Sequence, residues 1–234
     1  SYGGSLGVTT TSGPGVALKS ETISLAVALE LPLVIVDVQR AGPSTGMPTK
    51  TEQSDLLAAL YGRHGESPVP IVAASTPGQC FDAAYEAVRI AVRYRTPVIL
   101  LSDLFLANGS EPWRIPSAAS LPAIDPAFAK APENGAPFQP YARDPETLAR
   151  QFAIPGTPGL EHRIGGLEAA NVTGEISYDP ANHARMTELR AAKVAGIEVP
   201  DVEVDHQDGA DVLVIGWGSS EGAIRAGVRR VRVG

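Results

Sequence analysis

Leu33-Val34-Ile35-Val36-Asp37-Val38 decides the fold of this chain. A run this apolar and this β-branched fits a strand buried on both faces of a parallel sheet. Its neighbours carry the same alternation outward. Leu6–Thr11 is strand-like, and Val16–Leu29 places apolar residues at helical spacing. After the central run comes a Gly/Pro/Ser/Thr loop, residues 41–49, and then a helix over Glu52–Tyr61. Pro70–Ala74 predicts a strand, Pro77–Arg93 an amphipathic helix, and Val98–Leu101 another buried strand. This βαβαβαβ order predicts an α/β fold, a parallel sheet with helices on both faces.

From Phe105 to about Asn171 periodicity is lost and prolines crowd together. So long an irregular stretch is uncommon inside a compact domain. Trp113, Phe128, Phe138, Tyr141 and Phe152 argue against a disordered linker, which is poor in aromatics. An extended segment wrapping over something, such as a partner subunit, is expected instead. Helical spacing resumes at Pro180–Val194, capped by Asp179. Asp211–Gly218 then reads as a strand and Glu221–Val231 as a helix, as in the opening of a second α/β domain. The expected division is residues 1–106, 107–178 and 179–234. The chain opens almost within a strand and stops where a further strand is due, so it is expected to be a fragment of a longer subunit.

A net charge of −7 and a pI near 5.1 speak against nucleic acid or an anionic membrane as the main partner. No apolar run reaches the length of a membrane span, and no secretory leader pattern opens the chain. The simplest compartment is the cytoplasm. The single cysteine, Cys80, leaves no internal disulfide framework and no cysteine-ligated cluster or zinc site within the chain.

Two loops are candidates for chemistry. In Gly7-Val8-Thr9-Thr10-Thr11-Ser12-Gly13-Pro14-Gly15 a strand breaks into a small-residue turn that runs into a helix. Gly13 and Gly15 would bare the backbone to a ligand, Pro14 would stiffen the turn, and the helix start would favour an anion. An ordinary turn capped by Ser12 has the same composition. The second loop places Arg40 just past the carboxyl end of the central strand, where open α/β sheets bind ligands. A guanidinium there can grip a carboxylate through two parallel hydrogen bonds. Thr49 and Lys50 return to it if the loop folds back. A surface arginine paired with Asp37 or Glu52 is the alternative, with Glu52 and Asp55 serving as first-turn helix acids.

Gly218-Ser219-Ser220-Glu221-Gly222 matches the G-x-S-x-G pattern of a hydrolase elbow. Chain order opposes that reading, because His64, His162, His183 and His206 all precede Ser220. The histidines lack metal-ligand spacing. Neither a Walker A motif nor G-x-G-x-x-G is present, and Asp208-Gly209 lacks the rest of a Mg-diphosphate motif.

The first loop resembles the pyrimidine-side motif of thiamine diphosphate enzymes. The run from Ile35 through Arg40, Gly42-Pro43-Ser44-Thr45-Gly46 and Pro48-Thr49-Lys50 to Leu56 is more specific. It is similar to the alpha subunit of 2-oxoacid:ferredoxin oxidoreductases, the 2-oxoglutarate type above all. Pro97–Asp103 and Gly216–Ser220 fit the same family, so the resemblance covers essentially the whole chain.

That resemblance implies oxidative decarboxylation of a 2-oxoacid on thiamine diphosphate, with acyl transfer to coenzyme A and electrons to ferredoxin. It implies a cofactor shared with a beta subunit that carries the Mg-diphosphate motif and a [4Fe-4S] cluster. Position by position, Arg40 resembles the family's substrate-carboxylate arginine and Thr49 a second substrate contact. Thr11, Ser12, Gly13 and Pro14 resemble the turn lining the aminopyrimidine. The glutamate that activates thiamine and a Pro-Ile-Thr-Pro loop belong upstream of that turn in the family, and this sequence contains neither. Glu21, two turns into the next helix, is not assigned that role, and the chain alone is expected to be inactive. The rival readings are another thiamine-dependent decarboxylase or synthase subunit, and a non-catalytic interaction module.

Overall fold

A computed structural model describes every residue except Asn134, His206, Gln207 and Gly234. The expectation for His206 therefore lies outside the described residues. The apolar runs become strands β1 (Gly7–Thr11), β2 (Leu33–Gln39), β3 (Ile71–Ala73) and β4 (Pro97–Asp103). They form one parallel sheet in the order β1-β2-β4-β3.

Three connections alternate with them. The first holds helices α1 (Gly13–Leu18) and α2 (Ser20–Leu29), the second α3 (Leu56–Tyr61), and the third α4 (Gln79–Tyr94). The first two cross the sheet in one direction and the third returns, so crossovers of one hand put α4 on the opposite face. The packing agrees. Val16, Ile23, Val27 and Ala59 meet Ile35, Ile99 and Leu101 on one face. Ala87, Ile90 and Tyr94 of α4 meet Val34, Val98 and Leu100 on the other. The expected two-faced α/β sheet is present.

The register fixes the functional edge. Thr11 lies level with Asp37, and Asp37 with Leu101, which is level with Ala73. All four strands thus leave the sheet at one rim.

Several local expectations need correction. The single helix over Val16–Leu29 is two, broken at Lys19, whose N–H turns back to Val16 O at 3.1 Å. Gly13, Pro14 and Gly15 are poor helix formers, so α1 stays short, while Ile23 and Val27 anchor α2 to the sheet. Helix α3 begins at Leu56 rather than Glu52 because residues 52–55 are tied to the sheet rim. The strand expected over Asp211–Gly218 does not form. Val212, Leu213, Val214 and Ile215 are exposed, and a strand needs a ladder partner, which they lack among the described residues.

The proline-rich segment wraps this chain's own sheet domain. Phe152 packs on Leu29 and Leu31, and Arg150 Nε donates to Leu29 O at 2.9 Å. The Arg95 guanidinium donates to Pro126 O and Ala127 O and stacks on Phe152. The deepest tie is ionic. Glu30, buried at the end of α2, takes Arg143 in a two-bonded pair at 2.5 and 2.9 Å. It also takes Lys193 of α6 (Pro180–Ala195). The last helices are α5 (Leu104–Asn108) and α7 (Glu221–Val233). The arginines of α7 lie on exposed helix.

Candidate functional site

Both candidate loops leave from the same rim on adjacent strands, because β1 and β2 pair directly and the end of β1, Thr11, is level with Asp37, close to the end of β2 at Gln39. Ser12 holds the N-cap position of α1 in extended geometry, yet its hydroxyl makes no capping bond. The ordinary capped turn is therefore not what the sequence built. Gly13 and Gly15 also answer a demand from within the chain. A Cβ at Gly13 would fall 2.5 Å from Asp55 Oδ2, and one at Gly15 would fall 1.8 Å from Thr11 Oγ1. The two glycines make room for side chains of this chain.

The second loop does fold back. Ala41 N–H donates to Lys50 O and Met47 N–H to Ala41 O, each at 2.9 Å. Gly46 sits at φ 54°, where its missing side chain leaves space for Ala41 O. Gly42 N–H donates to Glu52 Oε2 at 2.7 Å and closes the base of the loop. Arg40 and Thr49 are each one residue from the Ala41–Lys50 bond, and Thr49 is exposed.

Arg40 takes neither carboxylate offered by the surface-arginine reading. Glu52 is engaged with Gly42 N–H, and Asp37 faces Asp55. Arg40 Nε is buried with no hydrogen-bond partner, and the guanidinium forms no ion pair among the described residues. A buried donor without an acceptor costs about 1–3 kcal/mol, and a bound carboxylate would remove that cost.

A polar ladder lies behind the loops. Side chains of Asp37 and Gln39 on β2 share a face with Asp103 on β4, since odd-numbered strand residues all point that way. Residues 53–55 run across them. Gln53 Nε2 donates to Asp103 Oδ2 at 3.3 Å, and Asp55 N–H donates to Gln39 Oε1 at 3.1 Å. The Asp55 carboxylate accepts from Gly13 N–H. Glu52 and Asp55 are therefore stitches between loops rather than first-turn helix acids. Burial, then the neighbouring Asp55 charge, pushes Asp37 from 3.8 up to about 7. Asp55 is raised as well, by burial and by Glu52.

This ladder was missed in the sequence, where an aspartate inside an apolar strand was its only signal. Asp103 caps α5 through the N–H groups of Phe105 and Leu106, and accepts from Ser219 Oγ at 2.5 Å. The Gly218-Ser219-Ser220 turn thereby docks on the same rim. Ser220 Oγ donates to Trp217 O, so no base activates it as a hydrolase nucleophile would require. A cavity of about 780 Å³ opens beside this turn, lined by Gln53, Ser75, Phe105, Glu111, Ser219 and Glu221. Cys80 is pushed up chiefly by burial and is no poised thiolate. Among the described residues no three His, Cys, Asp or Glu side chains gather as metal ligands.

A family model described as pyruvate flavodoxin/ferredoxin oxidoreductase, thiamine diP-binding, matches residues 1–178. The chain belongs to this family. It is 67% identical over 232 residues to the 2-oxoglutarate oxidoreductase subunit KorA of Mycobacterium tuberculosis, covering 99% of this chain and 35% of that protein. It is 32% identical to the 2-oxoglutarate synthase subunit KorA of Methanothermobacter thermautotrophicus, covering 99% and 60%. Its fold matches a solved 2-oxoglutarate:ferredoxin oxidoreductase from Magnetococcus marinus with 2-oxoglutarate, coenzyme A and succinyl-CoA bound. There the TM-score is 0.87 at 36% identity, over all of this chain and 40% of that one. The chain thus spans only about a third to three fifths of the length of these relatives.

Proposed function

We propose that this chain is the pyrimidine-side part of the alpha subunit of a 2-oxoglutarate:ferredoxin oxidoreductase. The observation that carries this reading is the shared rim. A turn whose Ser12 hydroxyl makes no capping bond stands beside a folded-back loop whose Arg40 guanidinium has no partner among the described residues. The names of the relatives, and the ligands of the Magnetococcus marinus enzyme, support 2-oxoglutarate as the acid.

Thiamine diphosphate, when bound, supplies the decarboxylation chemistry. The residues present fit that cofactor in kind. Thr11, Ser12, Gly13 and Pro14 line its aminopyrimidine, with Ser12 free to hydrogen-bond the ring. Arg40 clamps the carboxylate of the 2-oxoacid, and Thr49 on the returning limb of the loop adds a second contact. Fixing the acid in this way converts an encounter into an oriented reaction. The Mg-diphosphate ligands and a [4Fe-4S] cluster belong to a beta subunit, ferredoxin takes the electrons, and coenzyme A takes the acyl group. The family match to residues 1–178 supports reading 1–106 as the pyrimidine-type domain and 107–178 as its wrapping segment, with 179–234 opening a second domain.

The test is reduction of a viologen dye by the complete enzyme. Reduction that requires both 2-oxoglutarate and coenzyme A is expected. Decarboxylation without dye reduction would assign the chain to another thiamine enzyme. A purified complex that needs no cofactor and turns over no 2-oxoacid would make it an interaction module.

A further inference from the structure

Asp37 is fully buried on β2, and neither of its carboxyl oxygens meets an N–H or O–H donor among the described residues. The group it does meet is the carboxyl of Asp55. Two carboxylates in contact repel each other, and neither can donate; a single proton between them removes both difficulties. Asp55 in turn accepts from Gly13 N–H, and its carboxyl occupies the space a Gly13 side chain would need. The pair closes the floor of a cleft of about 60 Å³ bounded by Gly13, Val16, Ala59 and Arg63.

We propose that Asp37 and Asp55 share one proton and act as positioning residues for the Thr-Ser-Gly-Pro-Gly turn, so that the turn's grip on its ligand depends on a proton held beneath it. The proposal rests on the reading of that turn as the thiamine diphosphate site. Neither carboxyl is assigned a contact with cofactor or substrate; both act through Gly13.

The surroundings leave the pair to itself. The turn contributes no titratable group, and Ser20 and Ile23 are what α2 presents to the cleft. Glu52, ahead of α3, adds negative charge near Asp55. Arg63 borders the cleft, but its guanidinium is committed to the carbonyls of Ala59, Leu60 and Ser67. On β4, Leu101 is level with Asp37, and Asp103 is occupied by Gln53, Ser219 and the start of α5. Burial raises both carboxyls, Asp37 to about 7, which puts loss of the proton in the neutral range. Once the proton leaves, the two charges separate and Asp55 carries Gly13 with it.

The experiment measures the thiamine diphosphate dissociation constant of the complete enzyme between pH 6 and 9, beside the infrared band of protonated, isotope-labelled aspartate carboxyls. Wild-type affinity is expected to weaken by at least about threefold from pH 6.5 to 8.5, as the carboxyl band disappears. Asp37→Asn supplies the bridging hydrogen permanently, so its profile should be flat over that range. Asp55→Asn keeps an oxygen for Gly13 N–H and should be flat too, which covers the case of one variant failing to fold. A wild-type profile that Asp37→Asn reproduces point for point would overturn the proposal. So would a wild-type spectrum with no protonated carboxyl at pH 6.5. Absence of thiamine diphosphate binding at every pH would instead sink the functional reading, and the shared proton would still be read from the carboxyl band.

Discussion

Replacing Glu30 by glutamine should loosen the wrapping segment far more than replacing Lys193 by methionine. The reason lies in how the buried cluster is arranged. Glu30 accepts two bonds from Arg143 and a third from Lys193, all with almost no solvent exposure. Its two cations outweigh its burial and hold its carboxyl below the usual range. Lys193 responds to the same contact in the opposite direction. Burial, with repulsion from Arg143 and Arg150, outweighs its attraction to Glu30 and lowers it from 10.5 to about 8. Arg143 already satisfies Glu30 through two bonds, so the cost of burying the lysine sets the balance of the pair.

Glu30→Gln leaves two buried cations facing each other, and breaking a buried pair in this way costs about 3–5 kcal/mol. Lys193→Met removes a charge whose burial outweighs its attraction to Glu30, and keeps the Arg143 pair. Hydrogen exchange of α6 and of residues 141–153 in the assembled enzyme measures both. Glu30→Gln should raise exchange there by at least about a hundredfold, whereas Lys193→Met should leave it equal or slower.

The pH dependence follows from the sign of the lysine shift. Between pH 8 and 10.5 the unfolded segment holds a proton on Lys193 that the folded one has released, so protection should rise with pH there. Lys193→Met should abolish that rise. Equal loss of protection in the two variants would refute this account of the cluster.

Two glycine substitutions separate the loops. Gly46→Ala forces a left-handed residue against Ala41 O, a strain of about 1–3 kcal/mol. It should raise the KM for 2-oxoglutarate while cofactor binding stays as it was, as steady-state kinetics and a thiamine diphosphate titration will show. Gly13→Ala drives a methyl into the Asp55 carboxyl at 2.5–2.7 Å. Overpacking of that kind costs about 1–3 kcal/mol, so the same titration should show thiamine diphosphate binding weakened by about tenfold.

The sheet was legible because its strands are apolar and β-branched, and periodicity reports burial directly. The rim position of Arg40 was legible for the same reason, since the end of a buried strand locates the residue that follows it. The return of Thr49 and Lys50 was conditional on the loop folding back, and the bond from Ala41 N–H to Lys50 O supplies that fold. What the sequence did not disclose depends on contacts between distant segments. The engagement of Gln53 and Asp55 with the sheet rim shortened α3, and nothing local in residues 52–55 distinguishes a helix start from a cross-rim stitch. Arg143 and Lys193 are more than 100 residues from Glu30, so their burial together was invisible to any window of periodicity. Val212–Ile215 has strand composition but no ladder beside it, and composition alone does not form a strand.

The kinetics of Arg40→Ala in the complete enzyme test the central claim most directly. Arg40 makes no side-chain hydrogen bond or ion pair among the described residues, so its loss should be felt chiefly by substrate. Removing a charged partner of a carboxylate costs about 2–5 kcal/mol, and the KM for 2-oxoglutarate should rise at least about thirtyfold, with the thiamine diphosphate dissociation constant within about twofold of wild type. An unchanged KM, or equal loss of cofactor and substrate binding, would contradict the account.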